Sequence, residues 1–250
     1  MDELSAAALA WCAASLAVAG LVKGIAGIGI PLVGVSLLSM TLTVPQAVAL
    51  LPVPIIVANT WQTVAGGMFL ATCRRYAALI AAMGVGTFVG GAMLSSVNPA
   101  LLTGVLGGVV LLFAAAELAR LRIRVPAQHQ RITGTAAGFI GGVLGGLSGV
   151  FGPPVIMYLA ALELNKEAFV ATISAIYLIT GILLGVMLAS YGVASTRELL
   201  WSALATVPLF AGLAVGQFTR RLVSEAMFRK VLMSLLLLIG LNMVRRTVMA

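Results

Sequence analysis

The sequence predicts an all-α polytopic membrane protein built from two pseudo-symmetric repeats. Three observations lead to this prediction. Hydrophobic residues make up 61% of the chain and charged residues only 9%, the apolar residues fall into long runs, and the runs repeat in the same order. Soluble domains contain roughly 45–50% apolar and about 25% charged residues. A soluble protein cannot bury this much apolar surface in its core, so we expect the lipid bilayer to surround the chain.

Ten apolar runs divide into two sets of five that match in order and length. One crossing of the hydrocarbon needs about 20 apolar residues. The runs cover 4–28, 31–40, 45–69, 76–94 and 99–118 in the first set, and 132–150, 153–162, 168–190, 199–218 and 227–244 in the second. We therefore predict a first membrane repeat over 1–119, a basic cytoplasmic linker over 120–131, and a second membrane repeat over 132–250.

Each half begins with an apolar run that glycine and proline interrupt. Three positions of the first break recur 122 residues later in the second: Gly24, Gly27 and Pro31 as Gly146, Gly149 and Pro153. Helix breakers are costly in hydrocarbon because the freed backbone N–H and C=O groups find no water there. Paired interruptions at corresponding places in two halves are typical of a transporter's binding site.

The short run after each break decides the topology. About ten residues cannot cross, so each short run fits a half-helix or the second arm of a re-entrant hairpin. If the broken segment forms a hairpin that enters and leaves on one face, each half has three crossings and the halves are inverted. If the first segment crosses fully, each half has four crossings and the halves are parallel.

The distribution of positive charge separates these two topologies. Of the fourteen lysines and arginines other than Lys23, the inverted arrangement places eleven on one side, whereas the parallel arrangement places nine. Cytoplasmic loops carry an excess of lysine and arginine. We therefore expect inverted halves, with the linker in the cytoplasm and both termini on the other side of the membrane.

Several motifs follow one another along the chain in a recognisable order. They read Gly20-Leu-Val-Lys23-Gly24-Ile-Ala-Gly27-Ile-Gly29, Asn59-Thr-Trp61-Gln62, Gly146-Leu-Ser-Gly149-Val-Phe-Gly152-Pro153 with Ala171-Thr172-Ile-Ser174, and Gly216-Gln217-Phe-Thr-Arg220-Arg221 with Phe228-Arg229-Lys230. Together they resemble the TauE/SafE family of sulfite exporters and probable membrane transporter permeases, over essentially the whole chain. The resemblance implies a multi-pass protein of the bacterial inner membrane that transports sulfite, sulfonates or small organic acids, and in that membrane the charge distribution predicts periplasmic termini.

This sequence departs from the family pattern at both breaks. Many family members carry three consecutive glycines there, whereas this chain has Ile30 after Gly29 and Phe151 before Gly152. We expect these two side chains to narrow or shape the site.

The breaks predict an anion site from physical chemistry as well. A half-helix that begins in mid-membrane exposes unpaired N–H groups and the positive end of its dipole, and glycine lets the backbone approach a ligand closely. Pro31 and Pro153 suit the first helical position, where an N–H has no partner. Lys23 is the basic residue inside a break, where a cation costs about 2.5–3.5 kcal/mol at mid-membrane and is a functional hypothesis by default. The alternative is a lysine that snorkels to the membrane surface.

Polar side chains complete the candidate site. The residues that we expect to bind substrate are Lys23, Gly24, Gly27, Gly29, Pro31, Asn59, Gln62, Gly146, Ser148, Gly149, Gly152, Pro153, Thr172 and Ser174. Asn59 and Gln62 share one helix face, which must meet the pathway or another helix. The alternatives are close helix packing for the glycines, which we expect for Gly86/Gly90 and Gly212/Gly216, and hydrogen bonds to their own helix for serine and threonine.

The sequence offers little for other chemistry. All seven acids lie at or near run ends and His129 lies in the linker, so a proton relay has no obvious mid-membrane carrier. Paired acids, a nucleophile with a base, metal-ligand spacing and a phosphate-binding loop are missing from the sequence. We therefore predict a secondary anion transporter, with no enzymatic activity, cofactor or metal.

Two alternatives and one open question accompany this prediction. A passive anion channel needs the same half-helix ends, and a non-transporting membrane scaffold is the third class. The net charge of +8 lies mostly at run ends, which argues against a nucleic-acid partner. The expected partners are a small anionic substrate and the lipid bilayer, and the oligomeric state stays open, with a homodimer as one option.

Overall fold

The computed structural model describes residues 5–27, 29–94, 96–119, 124–220, 222 and 224–249, and these residues form helices without strands. The helices are α1 (Ala6–Ala26), α2 (Ile30–Leu38), α3 (Val44–Ala49), α4 (Pro52–Gly66), α5 (Phe69–Arg75), α6 (Ala77–Leu94), α7 (Pro99–Leu118), α8 (Gln130–Ser148), α9 (Gly152–Ala160), α10 (Lys166–Ser190), α11 (Thr196–Thr219) and α12 (Glu225–Val248), with a 3-10 turn at Ala127–His129. The all-α fold class is confirmed.

Six segments within the described residues are long and apolar enough to cross a membrane. They are Ala6–Ala26, Val44–Gly66, Ala77–Leu94, Ala100–Leu118, Glu167–Ser190 and Thr196–Thr219. One run differs from the prediction, because 45–69 is divided into α3, α4 and the start of α5. Pro52 opens α4, where its missing N–H interrupts the ladder and begins a new helix. The multi-pass membrane character is confirmed.

Each break joins a long helix to a short one through a left-handed glycine. α1 ends at Gly27 (φ 82°) and α8 ends at Gly149 (φ 72°), both in the conformation that glycine adopts without steric cost. α2 and α9 then begin at Ile30 and Gly152. Pro31 and Pro153 are therefore the second residues of their helices rather than the predicted first, and in both places an N–H would still lack a helical partner.

Hydrogen bonds tie the far end of each short helix to the start of the long one. The Trp11 Nε1–H donates to Leu37 O at 3.0 Å, which joins α1 to α2. The Tyr158 hydroxyl donates to Gln130 O at 3.0 Å, which joins α8 to α9. In each half, the two arms therefore open toward the same side, as a re-entrant hairpin requires.

The long arm of each hairpin packs in parallel against a helix of the other half. α1 lies along α11, where Gly20 faces the backbone of Leu209 and Gly24 faces Gly216. α8 lies along α6 in the same sense. The hairpin of each half therefore packs against the equivalent helix of the other half.

Equivalent helices of the two halves run antiparallel. Gly66 of α4 faces Ala171 of α10, whereas Ile55 of α4 faces Gly181 of α10. The residue numbers therefore increase in opposite directions along the two helices. α7 and α12 also pack antiparallel. A parallel repeat would run equivalent helices the same way, so these directions support the inverted arrangement, which we retain as our proposal for the topology.

The proposed topology fixes which loops share a side of the membrane. Three exposed residues test it: Ser96, Ser190 and Gln128. We expect cysteines at Ser96 and Ser190 to react with a membrane-impermeant maleimide from one side of the membrane. A cysteine at Gln128 should react from the other side. The measurement is labelling of intact and permeabilised cells by single-cysteine variants, in a background where Cys12 and Cys73 are replaced by alanine and serine. Labelling of Ser96→Cys and Ser190→Cys from opposite sides would indicate parallel repeats.

Candidate functional site

Lys23 is a buried basic residue at the first break. It lies in the last turn of α1 and is 2% exposed. Its Nζ donates to Asn59 Oδ1 at 2.9 Å and to Gly27 O at 3.5 Å. The carbonyl end of a helix favours a positive charge. The side chain turns into the protein, so it does not snorkel to a surface.

The charge of Lys23 has no carboxylate beside it in the part of the chain that the structure describes. The ion pair found there joins Arg124 and Glu163 at 2.9 Å, between two exposed side chains. Removing an ammonium group from water is expensive unless it is paired and fully hydrogen-bonded. The two oxygens that meet Lys23 are a carbonyl and an amide, so a bound anion would supply the missing counter-charge.

Asn59 is oriented by its own helix. Its Nδ2 donates to Ile55 O at 2.7 Å, which leaves Oδ1 to accept from Lys23. Gln62 lies on the same face of α4, and its Oε1 accepts from the Ser174 hydroxyl at 2.7 Å. The amide face expected from the sequence therefore meets Lys23 at one position and α10 at the other.

α10 contacts both breaks with one face. A Cβ on Gly27 would lie 3.2 Å from Val170 Cγ2, and a Cβ on Gly152 would lie 2.7 Å from the Tyr177 hydroxyl oxygen. Val170 and Tyr177 are two turns apart, about 10 Å along the axis at about 1.5 Å per residue. Ser174 lies between them, so the breaks are neighbours along a common helix.

The two breaks carry different side chains at equivalent positions. At the 122-residue spacing, Lys23 corresponds to Gly145 and Gly29 corresponds to Phe151. The Phe151 side chain fills the space over Gly145, where a Cβ would lie 2.7 Å from its ring. The same ring packs edge-on against Tyr177 at a centroid distance of 5.1 Å. The first break therefore carries a charge where the second carries an aromatic ring.

The starts of the two half-helices also differ in their free donors. The first three positions of α2 are Ile30, Pro31 and Leu32, of which two have an N–H. The first three positions of α9 are Gly152, Pro153 and Pro154, of which one has an N–H. The first break therefore offers an anion more backbone donors than the second, as well as the lysine.

Other predicted residues are not among the hydrogen-bond partners of Lys23, which are Asn59 and Gly27. A Cβ on Gly24 would lie 2.8 Å from Gly216 Cα, and one on Gly146 would lie 2.6 Å from Gly91 N. Both face neighbouring helices, as do Gly86, Gly90, Gly212 and Gly216, whose expected packing role is confirmed. The Ser148 hydroxyl donates to Leu144 O of its own helix at 2.8 Å. Thr172 is buried in α10 about 200° around from Ser174.

Sequence reasoning left two contacts out of the candidate site. Val170 and Tyr177 link the breaks, and their spacing of seven residues places them on one face of α10. That spacing is visible in the sequence, but it is shared by many core positions of a buried helix. The fold alone shows which pair meets the breaks.

The comparison with protein families agrees with the motifs. The model of the family described as sulfite exporter TauE/SafE matches residues 12–243 of the 250, a segment that contains both breaks and the Lys23–Asn59 pair. No curated protein and no solved structure matches the chain. The protein belongs to the TauE/SafE family of membrane sulfite exporters, as its motifs predict.

Proposed function

We propose that this protein is a secondary transporter that exports small anions, such as sulfite, sulfonates or small organic acids, through a site between its two breaks. The observation that carries this proposal is the buried Lys23 ammonium, which faces oxygen acceptors but no carboxylate among the described residues. Its family membership supports a sulfite-type substrate.

In the proposed site Lys23 supplies the charge and Asn59 fixes its direction. Gly27 and Gly29 let the backbone come close to the anion, and the start of α2 adds N–H donors. The Ser174 hydroxyl on α10, which here donates to Gln62, is a further donor. An anion with several oxygens would thus meet donors from three helices.

The packing indicates which parts move together during transport. Each hairpin is joined closely along a glycine seam to a helix of the other half, whereas Gly27 meets α10 through the smaller contact with Val170. We propose that the hairpins rock with α11 and α6 against α4 and α10, which opens the site to either side in turn. Since Lys23 is 2% exposed, we assign this structure to a closed state of the proposed cycle.

The driving force that we propose is the membrane potential. The described acids Glu117, Glu163, Glu167 and Glu198 lie at helix ends or in a turn, and the ion pair found among the described residues, Arg124–Glu163, does not involve Lys23. Moving one charge through 100 mV yields about 2.3 kcal/mol, which suffices to export an anion from a negative interior. We place the protein in the bacterial inner membrane, with a cytoplasmic linker and periplasmic termini.

Replacing Lys23 by methionine should abolish transport without unfolding the protein. We expect sulfite flux into proteoliposomes to fall about 100-fold or more. The variant cannot form the proposed pair between Lys23 and the bound anion, and losing one partner of a buried charge pair costs about 2–5 kcal/mol. The melting temperature should change little, because removal of a buried charge offsets the loss of the hydrogen bonds to Asn59 and Gly27.

Lys230→Met is the matched control, since Lys230 is exposed on α12. It should keep the flux of the unmodified protein. If Lys23→Met instead transports normally but melts well below the unmodified protein, Lys23 is a structural tie at the end of α1 and the proposed site is wrong.

Sulfite flux should respond to voltage. A potassium-diffusion potential set with valinomycin should accelerate efflux from liposomes that are negative inside, while a proton gradient of the same size should change the rate little. Sulfite on the far side should stimulate efflux, as a carrier requires. Flux that follows the proton gradient and ignores the potential would refute the proposed driving force.

A further inference from the structure

A second cationic cavity lies at the open end of the α8–α9 hairpin, apart from Lys23. It has a volume of about 420 Å³, and its polar lining consists of Arg74, Arg75, Tyr76, Gln130, Arg131 and Tyr158. Three sequence segments meet there: the junction of α5 and α6, the start of α8, and the end of α9. The cavity is within the size range of small-molecule sites, about 300–1,000 Å³.

The positive charge of this cavity is uncompensated in the described part of the chain. Arg74, Arg75 and Arg131 line it, and the nearby carboxylate, Glu163, is paired with Arg124 instead. The Arg75 guanidinium lies over the Tyr76 ring, 5.4 Å from its centroid, which keeps that charge at the cavity wall. Guanidinium groups bind tetrahedral oxyanions through paired N–H donors.

A buried hydroxyl in the cavity wall lacks a partner. Tyr76 is 5% exposed, and its hydroxyl oxygen has no hydrogen bond within the described structure. Burial raises the pKa of this phenol, with a smaller opposing effect of Arg75, so the hydroxyl keeps its proton and can donate it. Leaving a buried polar group unpaired costs about 1–3 kcal/mol, and an oxyanion oxygen would satisfy it.

The aromatic part of the wall is rigidly held. Tyr158 packs edge-on against Tyr76 at a centroid distance of 6.5 Å. Its hydroxyl is used by Gln130 O and lies against Gly134, where a Cβ would be 2.8 Å away. Tyr158 thus fixes the shape of the cavity, while Tyr76 and the arginines are left to meet a ligand.

We infer that this cavity is a second anion site, which binds a tetrahedral oxyanion of the sulfate or phosphate class, either free or as a lipid headgroup. The ligand bridges the two halves, because Arg75 precedes α6 and Arg131 belongs to α8. It lies about 9 Å along α9 from the second break, the distance from Gly152 to Tyr158 at about 1.5 Å per residue. Occupancy therefore braces the α6–α8 seam next to the hairpin.

Sulfate binding to lipid-depleted protein tests this site. We expect sodium sulfate to raise the melting temperature in a saturable way, beyond the effect of sodium chloride at equal ionic strength. Arg75→Gln with Arg131→Gln should remove the shift, whereas the control pair of exposed residues, Arg220→Gln with Arg245→Gln, should keep it. Tyr76→Phe should weaken sulfate binding about tenfold.

Two further arms make the result decisive. The Lys23→Met variant should keep the shift, which separates this cavity from the transport site. In nanodiscs, a shift present in both phosphatidylcholine and phosphatidylglycerol identifies a free oxyanion, while loss of the shift only in phosphatidylglycerol identifies an anionic phospholipid headgroup.

The inference fails if sulfate gives no saturable shift, or if the shift survives in Arg75→Gln with Arg131→Gln. Should that double variant not give monodisperse protein, each single variant serves instead, with a weakening of at least tenfold expected for each. An unchanged affinity in both single variants would also overturn the inference.

Discussion

One electrostatic constraint governs the proposed site, which is that the buried Lys23 amino group lies at a helix break without a carboxylate partner among the described residues. The end of α1 and Asn59 hold it by dipole and hydrogen bond rather than by opposite charge. An acid in that place would neutralise the lysine and close the site to anions. In the proposed site, neutral acceptors instead leave Lys23 to pair with an anion that binds and leaves during transport.

The hairpins explain how such a charge is kept in a membrane protein. Gly27 and Gly149 turn the chain at equivalent positions, and each hairpin is joined to the other half along a glycine seam. The two breaks then meet the same face of α10, which is the shared wall of the proposed site. The halves are nonetheless unequal, since a lysine in one corresponds to a glycine in the other, where Phe151 fills the space. In the proposed site, this asymmetry would give a small anion a basic end and an apolar end to meet.

Much of this arrangement is readable from the sequence because its causes are local. Glycine and proline spacing predicts the breaks, apolar runs predict the helices, and the family motifs point to the same residues. The sequence also places Asn59 and Gln62 on one face, but their separate partners, Lys23 and Ser174, depend on how α1 and α10 cross α4. The sequence predicts Gly24 and Gly146 at the binding site, but each faces a neighbouring helix in the structure. A glycine that meets a ligand and one that meets a helix look alike in sequence. The cavity around Tyr76 has no sequence signal, because its residues come from three distant segments.

The most direct test of the central claim is the equilibrium binding of sulfite to Lys23. Isothermal titration should be carried out on Arg75→Gln with Arg131→Gln, which removes the second anion site, and on the same protein carrying Lys23→Met. The proposed site predicts saturable binding of about one sulfite per chain in the first protein and no measurable binding in the second, at matched melting temperatures. Equal affinity in the two proteins would contradict the claim that the buried lysine holds the transported anion.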